Sequence, residues 1–301
     1  MWTFPYRNET EDLTDAVRSQ AGGSFISLAD GVCHYELFSP SPAGKGLGNR
    51  PTIVLIHGFS VPYFIWDPTF DFLTQSGLRV LRYDLFGRGY SDRPHTRYDI
   101  DLYVRQLGGL LDALGPREPV TLAGLSLGGA IAVNFMERHP ERVDKLILID
   151  PAGAGAIRLA PLLDLVKLPI LPELILGLAG DEGLLKSIAK DVYDPKLVDK
   201  FIDRYRPQMK IKGFKRALLS TVRCGMLGDF SEAFRRAGTQ NKPTLLFWGR
   251  DDTTVPFEHS DIVRACIPQV EFHVIAGAGH IPHYEKPQEV NPILLEFLFQ
   301  T

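Results

Sequence analysis

The sequence predicts an α/β fold in which a mostly parallel central sheet is flanked by helices, and three observations point to it. Short apolar runs recur at Thr52–Ile56, Val120–Leu125, Val143–Asp150 and Thr244–Trp248, as expected of strands covered on both faces. Segments of helical periodicity lie between them, so strand and helix alternate. Glycine and proline punctuate the joins, as at Gly115-Pro116.

Taken in order, Phe25 to Phe38 alternates in polarity and suits one or two early strands. Ser39 to Arg50 is rich in Gly, Pro and Ser and reads as a loop. Thr52–Ile56 is a buried strand running into His57-Gly58-Phe59-Ser60. Pro68–Ser76 reads as a helix and Leu78–Asp84 as the next strand, followed by the glycine-punctuated loop Asp84-Leu-Phe-Gly-Arg-Gly-Tyr-Ser91. Ile100–Leu114 has helical spacing and stops at Gly115-Pro116. Val120–Leu125, Gly128–Arg138 and Val143–Asp150 then read as strand, helix and strand.

From Pro151 to about Ala237 no strong strand appears. Leu159–Gly180 is very apolar, but Pro161, Pro169 and Pro172 with Asp164, Lys167 and Glu173 divide it. A membrane span is a poor fit, and short helices covering something apolar fit better. Further helical patterns lie at 181–190, 195–205 and 211–219. The sheet pattern resumes at Thr244–Trp248, with Phe257–Cys266 helical, Glu271–Ile275 a strand and Pro287–Gln300 a closing helix. The expected division is a core of residues 1–150 and 238–301, interrupted by a helical insertion over 151–237.

The 301 residues are 45% apolar and 23% charged, an ordinary globular balance, with a net charge of −3. No basic footprint for nucleic acid stands out. Cys33, Cys224 and Cys266 suit neither a disulfide framework nor a metal site. With so few cysteines a cytoplasmic enzyme is the simplest expectation, and the start as written does not read as a signal peptide. No integral membrane segment, metal or organic cofactor is expected, and the oligomeric state is left open.

Gly124-Leu125-Ser126-Leu127-Gly128 carries the most chemical information. It is G-x-S-x-G at a strand-to-helix turn, which presents the serine hydroxyl at the sheet edge. Such a hydroxyl needs a base, and the base needs an orienting acid. His280 sits on a loop after the last strand, with His283 as its rival. Asp252, just after Thr244–Gly249, is the first choice for the acid, and Asp251 and Asp150 remain alternatives. Backbone donors for a substrate oxyanion are expected at Phe59 and Leu127, with His57 bracing the first of these loops. Phe59 and Trp66 are candidate pocket side chains, as are Leu162, Leu163 and Val166 in the apolar insertion.

With His57-Gly-Phe, Asp84-Leu-Phe-Gly-Arg-Gly-Tyr-Ser, Gly124-Leu-Ser-Leu-Gly-Gly, Trp248-Gly-Arg-Asp-Asp252 and Gly277-Ala-Gly-His280, the chain resembles the α/β-hydrolase superfamily in its lid-bearing esterase, lipase and C–C hydrolase branch. The resemblance implies Ser126 as nucleophile, Asp252 as orienter, His280 as base and the 151–237 insertion as a lid. Ser126 separates the chain from the dehalogenase and epoxide hydrolase families, which carry aspartate at that turn. The expected activity is a serine carboxylesterase or monoacylglycerol-type lipase, taking apolar short- to medium-chain esters through an acyl-enzyme. The alternatives are a C–C bond hydrolase of ring-cleavage diketone acids and a noncatalytic binding protein. A C–C hydrolase needs a cationic or polar group to recognise the substrate carboxylate, with Arg158, Arg206, Arg216 and Arg223 as candidates. Phe59-Ser60-Val61-Pro62 departs from the glycine-rich oxyanion loop common in that group.

Overall fold

Eight strands pair into one sheet in a computed structural model that describes residues 4, 6, 8–40, 51–115, 119–155 and 171–300. They are β1 (Ser24–Leu28), β2 (Gly31–Phe38), β3 (Thr52–Ile56), β4 (Arg79–Tyr83), β5 (Val120–Leu125), β6 (Val143–Ile149), β7 (Thr244–Gly249) and β8 (Glu271–Ile275). Their order across the sheet is β1-β2-β4-β3-β5-β6-β7-β8. β1 to β2 and β2 to β4 are antiparallel, and all other pairings are parallel. The Phe25–Phe38 alternation thus resolves into two strands forming the antiparallel edge.

Side chains of successive strand residues point to opposite faces, and the core divides accordingly. Val54 and Ile56 join a cluster with Leu107, Ile131 and Trp248, while Ile53 and Leu55 join one with Trp66, Phe201 and Phe297. Every residue of β3, β5 and β7 is buried. This double burial explains why those strands read as apolar runs.

The insertion departs from the sequence expectation in one respect. Leu171–Asp191 is a single 21-residue helix rather than a set of short ones. Pro172 lies in its first turn, where proline removes no intrahelical hydrogen bond. Helices Pro195–Met209, Phe214–Arg223 and Ser231–Gly238 follow. The last of these packs on the sheet-flanking helices Leu127–Arg138 and His259–Cys266. Among the described residues, no helix is long and apolar enough to cross a membrane.

The strand order positions the site. From β3 the chain first steps to β4 and then returns past β3 to β5. The crevice outside the carboxyl ends of β3 and β5 therefore lies where the winding reverses, the place open α/β sheets use for ligands. Register places Ile56 beside Gly124, so the 57–60 loop emerges next to Ser126.

A buried ion pair holds the backbone that follows that loop. His34 Nδ1 bonds Asp84 Oδ2 at 2.7 Å, and its Nε2 bonds the Gly22 carbonyl at 2.6 Å. Both ring nitrogens face acceptors, so the ring donates twice and is protonated. Burial opposes that charge, but the hydrogen bond and charge of Asp84 outweigh it and raise the His34 pKa. Burial equally opposes ionisation of Asp84, but the His34 hydrogen bond and charge outweigh it and hold the carboxyl below its usual range. Asp84 then accepts the Tyr63 and Tyr90 backbone N–H groups, each at 2.9 Å.

A raised histidine pKa stabilises the fold fully below the unfolded value of 6.5 and is lost as pH rises through the folded value. The Asp84 contribution is lost on the acid side, as pH falls through a folded value below 3.8. His34→Gln is expected to cost about 3 kcal/mol near pH 6 and less near pH 9. Denaturant unfolding at both pH values checks this, and an equal cost at both would contradict the protonated pair.

Candidate active site

β5 ends in a turn that only particular residues permit. Ser126 has φ 52° and ψ −119°, outside the conformations an L-residue prefers. Its N–H donates to the Ile149 carbonyl at 3.0 Å, and its own carbonyl accepts the N–H groups of Gly129 at 2.9 Å and Ala152 at 3.0 Å. A Cβ at Gly124 would strike the Gly128 backbone, and one at Gly128 would strike the Ile56 carbonyl. These two glycines let the following helix approach the sheet edge closely. Leu127 opens that helix, where backbone N–H groups lack intrahelical acceptors.

His280 lies on the loop after β8, with its Nδ1 2.7 Å from Asp252 Oδ2. Asp252 Oδ1 accepts the N–H groups of Thr254 at 2.7 Å and Val255 at 3.0 Å. Burial works against the Asp252 charge, yet His280 and these donors keep its carboxyl below the usual range. Burial also works against protonation of His280, but the charge and hydrogen bond of Asp252 prevail and raise its pKa. With Nδ1–H donating to Asp252, neutral His280 keeps its acceptor lone pair on Nε2.

The rival residues stand elsewhere. His283 is fully buried, with its ring 4.3 Å from that of Trp66, and burial pushes its pKa down to about 3. Asp251 is exposed. Asp150 is buried close to both Asp252 and His280, with one side-chain atom of each residue within 4.8 Å of the other two. Three such residues can serve a metal ion, but here His280 Nδ1 and Asp252 Oδ2 already bond each other.

Ser126 and His280 line one cavity of about 490 Å³. Gly58, Phe59, Ser60, Val61 and Ile65 form one wall, and Leu184, Ser187, Ile188, Lys190 and Asp191 form another. His57 braces the first wall: its Nδ1–H donates to the Gly58 carbonyl at 2.9 Å, and its Nε2 accepts the Leu85 N–H at 2.9 Å. Burial lowers its pKa to about 4, so it stays neutral. Arg88 Nε donates to the Phe59 carbonyl at 2.7 Å, and Gln208 Nε2 donates to the Ser60 carbonyl at 2.9 Å.

Several expectations about the pocket change. Trp66 does not line this cavity. The 3-10 turn Tyr63–Trp66 buries its indole completely, and Ile65 takes the place in the wall. Leu162, Leu163, Val166 and Arg158 fall outside the described residues. Arg216 and Arg223 line a separate cavity with Tyr6 and His95, and Arg206 lines another with Met209. The described cation of the Ser126 cavity is Lys190, for which the sequence offered only the end of a helical pattern as a signal. Asp191 was also missed. Its backbone carbonyl accepts the His280 N–H at 3.0 Å, and its Oδ1 accepts the Thr254 hydroxyl at 2.5 Å.

Residues 53–293 match the family described as "Alpha/beta hydrolase family". A 2-hydroxy-6-oxononadienedioate/2-hydroxy-6-oxononatrienedioate hydrolase of Paraburkholderia phymatum is 30% identical, over 96% of this chain and 100% of its own. A 2-hydroxy-6-oxo-6-phenylhexa-2,4-dienoate hydrolase of Comamonas testosteroni is 31% identical, over 91% of this chain and 93% of its own. The solved structure of a meta-cleavage product hydrolase from Pseudomonas fluorescens superposes with a TM-score of 0.73 at 26% identity, covering 91% of this chain and 97% of that one. These relatives overturn the expected esterase or lipase activity, because they are hydrolases of dienoates and of meta-cleavage products. The serine turn is shared by many hydrolases and does not encode which bond is broken. By its sequence match over most of its length and by its sheet, this chain belongs to the α/β hydrolase family.

Proposed function

We propose that this protein is a C–C bond hydrolase acting on a 2-hydroxy-6-oxo-dienoic acid, the kind of product left by ring cleavage. The two relatives at 30 and 31% identity, aligned over nearly the whole chain, carry this reading. The cavity supports it. Its walls offer apolar surface from Phe59, Val61, Ile65, Leu184 and Ile188, and Lys190 pairs with no carboxylate among the described residues. That ammonium gives the substrate carboxylate a counter-charge.

In this reading Ser126 is the nucleophile, His280 its base and Asp252 the orienting acid. The dienol substrate first tautomerises: the proton of its 2-hydroxyl leaves and C5 gains one, giving a ketone at C2 and a methylene at C5. His280 Nε2 then takes the Ser126 proton as the oxygen attacks the C6 carbonyl. Backbone N–H groups of Phe59 and Leu127 hold the resulting oxyanion. Collapse breaks the C5–C6 bond, and its electron pair flows into the conjugated 2-oxo system as a dienolate. Protonated His280 returns a proton to that fragment. Water, deprotonated by His280, then attacks the acyl group, and His280 returns that proton to the Ser126 oxygen as the carboxylic acid leaves. Asp252 holds the imidazole tautomer and offsets its charge at each stage.

Purified protein is expected to bleach 2-hydroxy-6-oxo-6-phenylhexa-2,4-dienoate or its 6-alkyl analogues, releasing the matching carboxylic acid. Failure on the whole dienoate panel, with Ser126 still labelled by a phosphonate, would overturn the substrate reading. Ser126→Ala and His280→Ala should each lower kcat by about 10⁴-fold or more while the protein stays folded. Lys190→Met should raise KM for the acid about fivefold with little change in kcat, and Lys190→Arg should restore it. Only unprotonated His280 can accept the serine proton, so kcat/KM should climb with pH, with a midpoint above 6.5. A flat profile across neutrality would argue against His280 as the base.

A further inference from the structure

Asp150 is a buried carboxyl with no part in the steps above. It follows β6 with φ 41°, a left-handed backbone that a non-glycine residue adopts at a steric cost. The residue is fully buried, and its N–H donates to the Phe247 carbonyl at 3.1 Å. Its Oδ1 accepts the Gly249 N–H at 2.9 Å. Its Oδ2 is buried with no hydrogen-bond donor among the described residues. Asp252 and His280 each bring a side-chain atom to within 4.8 Å.

Two carboxylates this close and out of water do not both ionise; one keeps a proton. Asp252 has the stronger hold on the charge, through the Thr254 and Val255 N–H groups and His280. Asp150 has one backbone donor and a bare oxygen. The proton therefore belongs on Asp150 Oδ2, where the O–H can donate to Asp252. Burial, then the negative charges of Asp252 and Glu285, hold the Asp150 carboxyl well above the usual range. The charge of Asp191 also favours protonated His280.

We propose that Asp150 is a positioning residue and reserve acid: neutral beside Asp252, it steadies that carboxylate, and when Asp252 loses its charge it ionises and holds His280 in its place. The exchange is balanced. Asp252→Asn removes one negative charge, and Asp150 replaces it by releasing its Oδ2 proton to solvent. The inference rests on the reading of Ser126 and His280 as nucleophile and base, but not on the identity of the substrate.

The test follows the rate at which an aryl fluorophosphonate labels Ser126, which requires no natural substrate. Wild type, Asp150→Asn, Asp252→Asn, Asp252→Ala and the double variant Asp150→Asn/Asp252→Asn are compared. Asp252→Asn and Asp252→Ala should react at least about tenfold faster than the double variant. Their rates should rise with pH along a limb that the double variant lacks. In ¹H NMR the low-field His280 Nδ1 proton should persist in Asp252→Asn and vanish in the double variant. If one Asp252 variant does not fold, the other carries the comparison. Equal rates in the Asp252 variants and the double variant, with no low-field proton in either, would overturn the proposal. Absence of labelling in folded wild type would instead refute the nucleophile reading itself.

Discussion

At Ser126 the backbone takes a sparsely populated conformation that costs an L-residue about 1–3 kcal/mol. The turn holds because its surroundings leave no alternative. The Ser126 N–H and carbonyl are tied to Ile149, Gly129 and Ala152, and neither Gly124 nor Gly128 can carry a side chain. β3 and β5 are neighbours, so the loop that follows β3 arrives beside the same turn. A Cβ at Gly58 would lie 3.2 Å from the Ser126 Cβ, so another backbone conformation at Ser126 would shift its side chain relative to the 57–60 loop. Both halves of the site therefore depend on one strained residue.

The loops around this turn are held by buried polar groups. Arg88 is fully buried and shows how that is tolerated: its donors meet the carbonyls of Phe59 and Phe86, the Tyr103 hydroxyl and the Thr221 hydroxyl. A desolvated guanidinium is costly unless its hydrogen bonds are met. Meeting them joins four segments that are distant in the chain, including the Phe214–Arg223 helix of the insertion. The His34–Asp84 pair does the same from the other side, through the Tyr63 and Tyr90 backbone.

Much of this was legible from residue order. β5, β8 and the Ile100–Leu114 helix match their sequence-read limits, because periodicity and the Gly115 stop are local signals. The G-x-S-x-G turn and the Asp252–His280 pair were legible because strand ends advertise themselves. Trp66 was not, since an aromatic residue near the mouth of a site reads alike whether it faces cavity or core. Lys190 and Asp191 were hidden because only packing of the insertion over the sheet brings them to the site. Asp150 was visible as a competitor, but its unpaired oxygen required coordinates. The expected ester substrate is overturned by the dienoate hydrolases the chain resembles, because a serine turn of this kind does not encode which bond is broken.

The Leu171–Asp191 helix supplies one wall of the cavity, and its two ends are held by different parts of the molecule. At Asp191 it is pinned to His280 and Thr254, and just beyond, the Tyr193 and Asp194 N–H groups donate to Glu285 Oε2 at 2.6 and 3.0 Å. Near the other end Glu173 pairs with Arg223 at 2.6 Å, and midway Asp181 pairs with the buried Lys215 at 2.6 Å, so the helix is fastened along its 21 residues. The width of the cavity is thereby tied to the seating of the helices that follow, as a beam is levelled by every post beneath it.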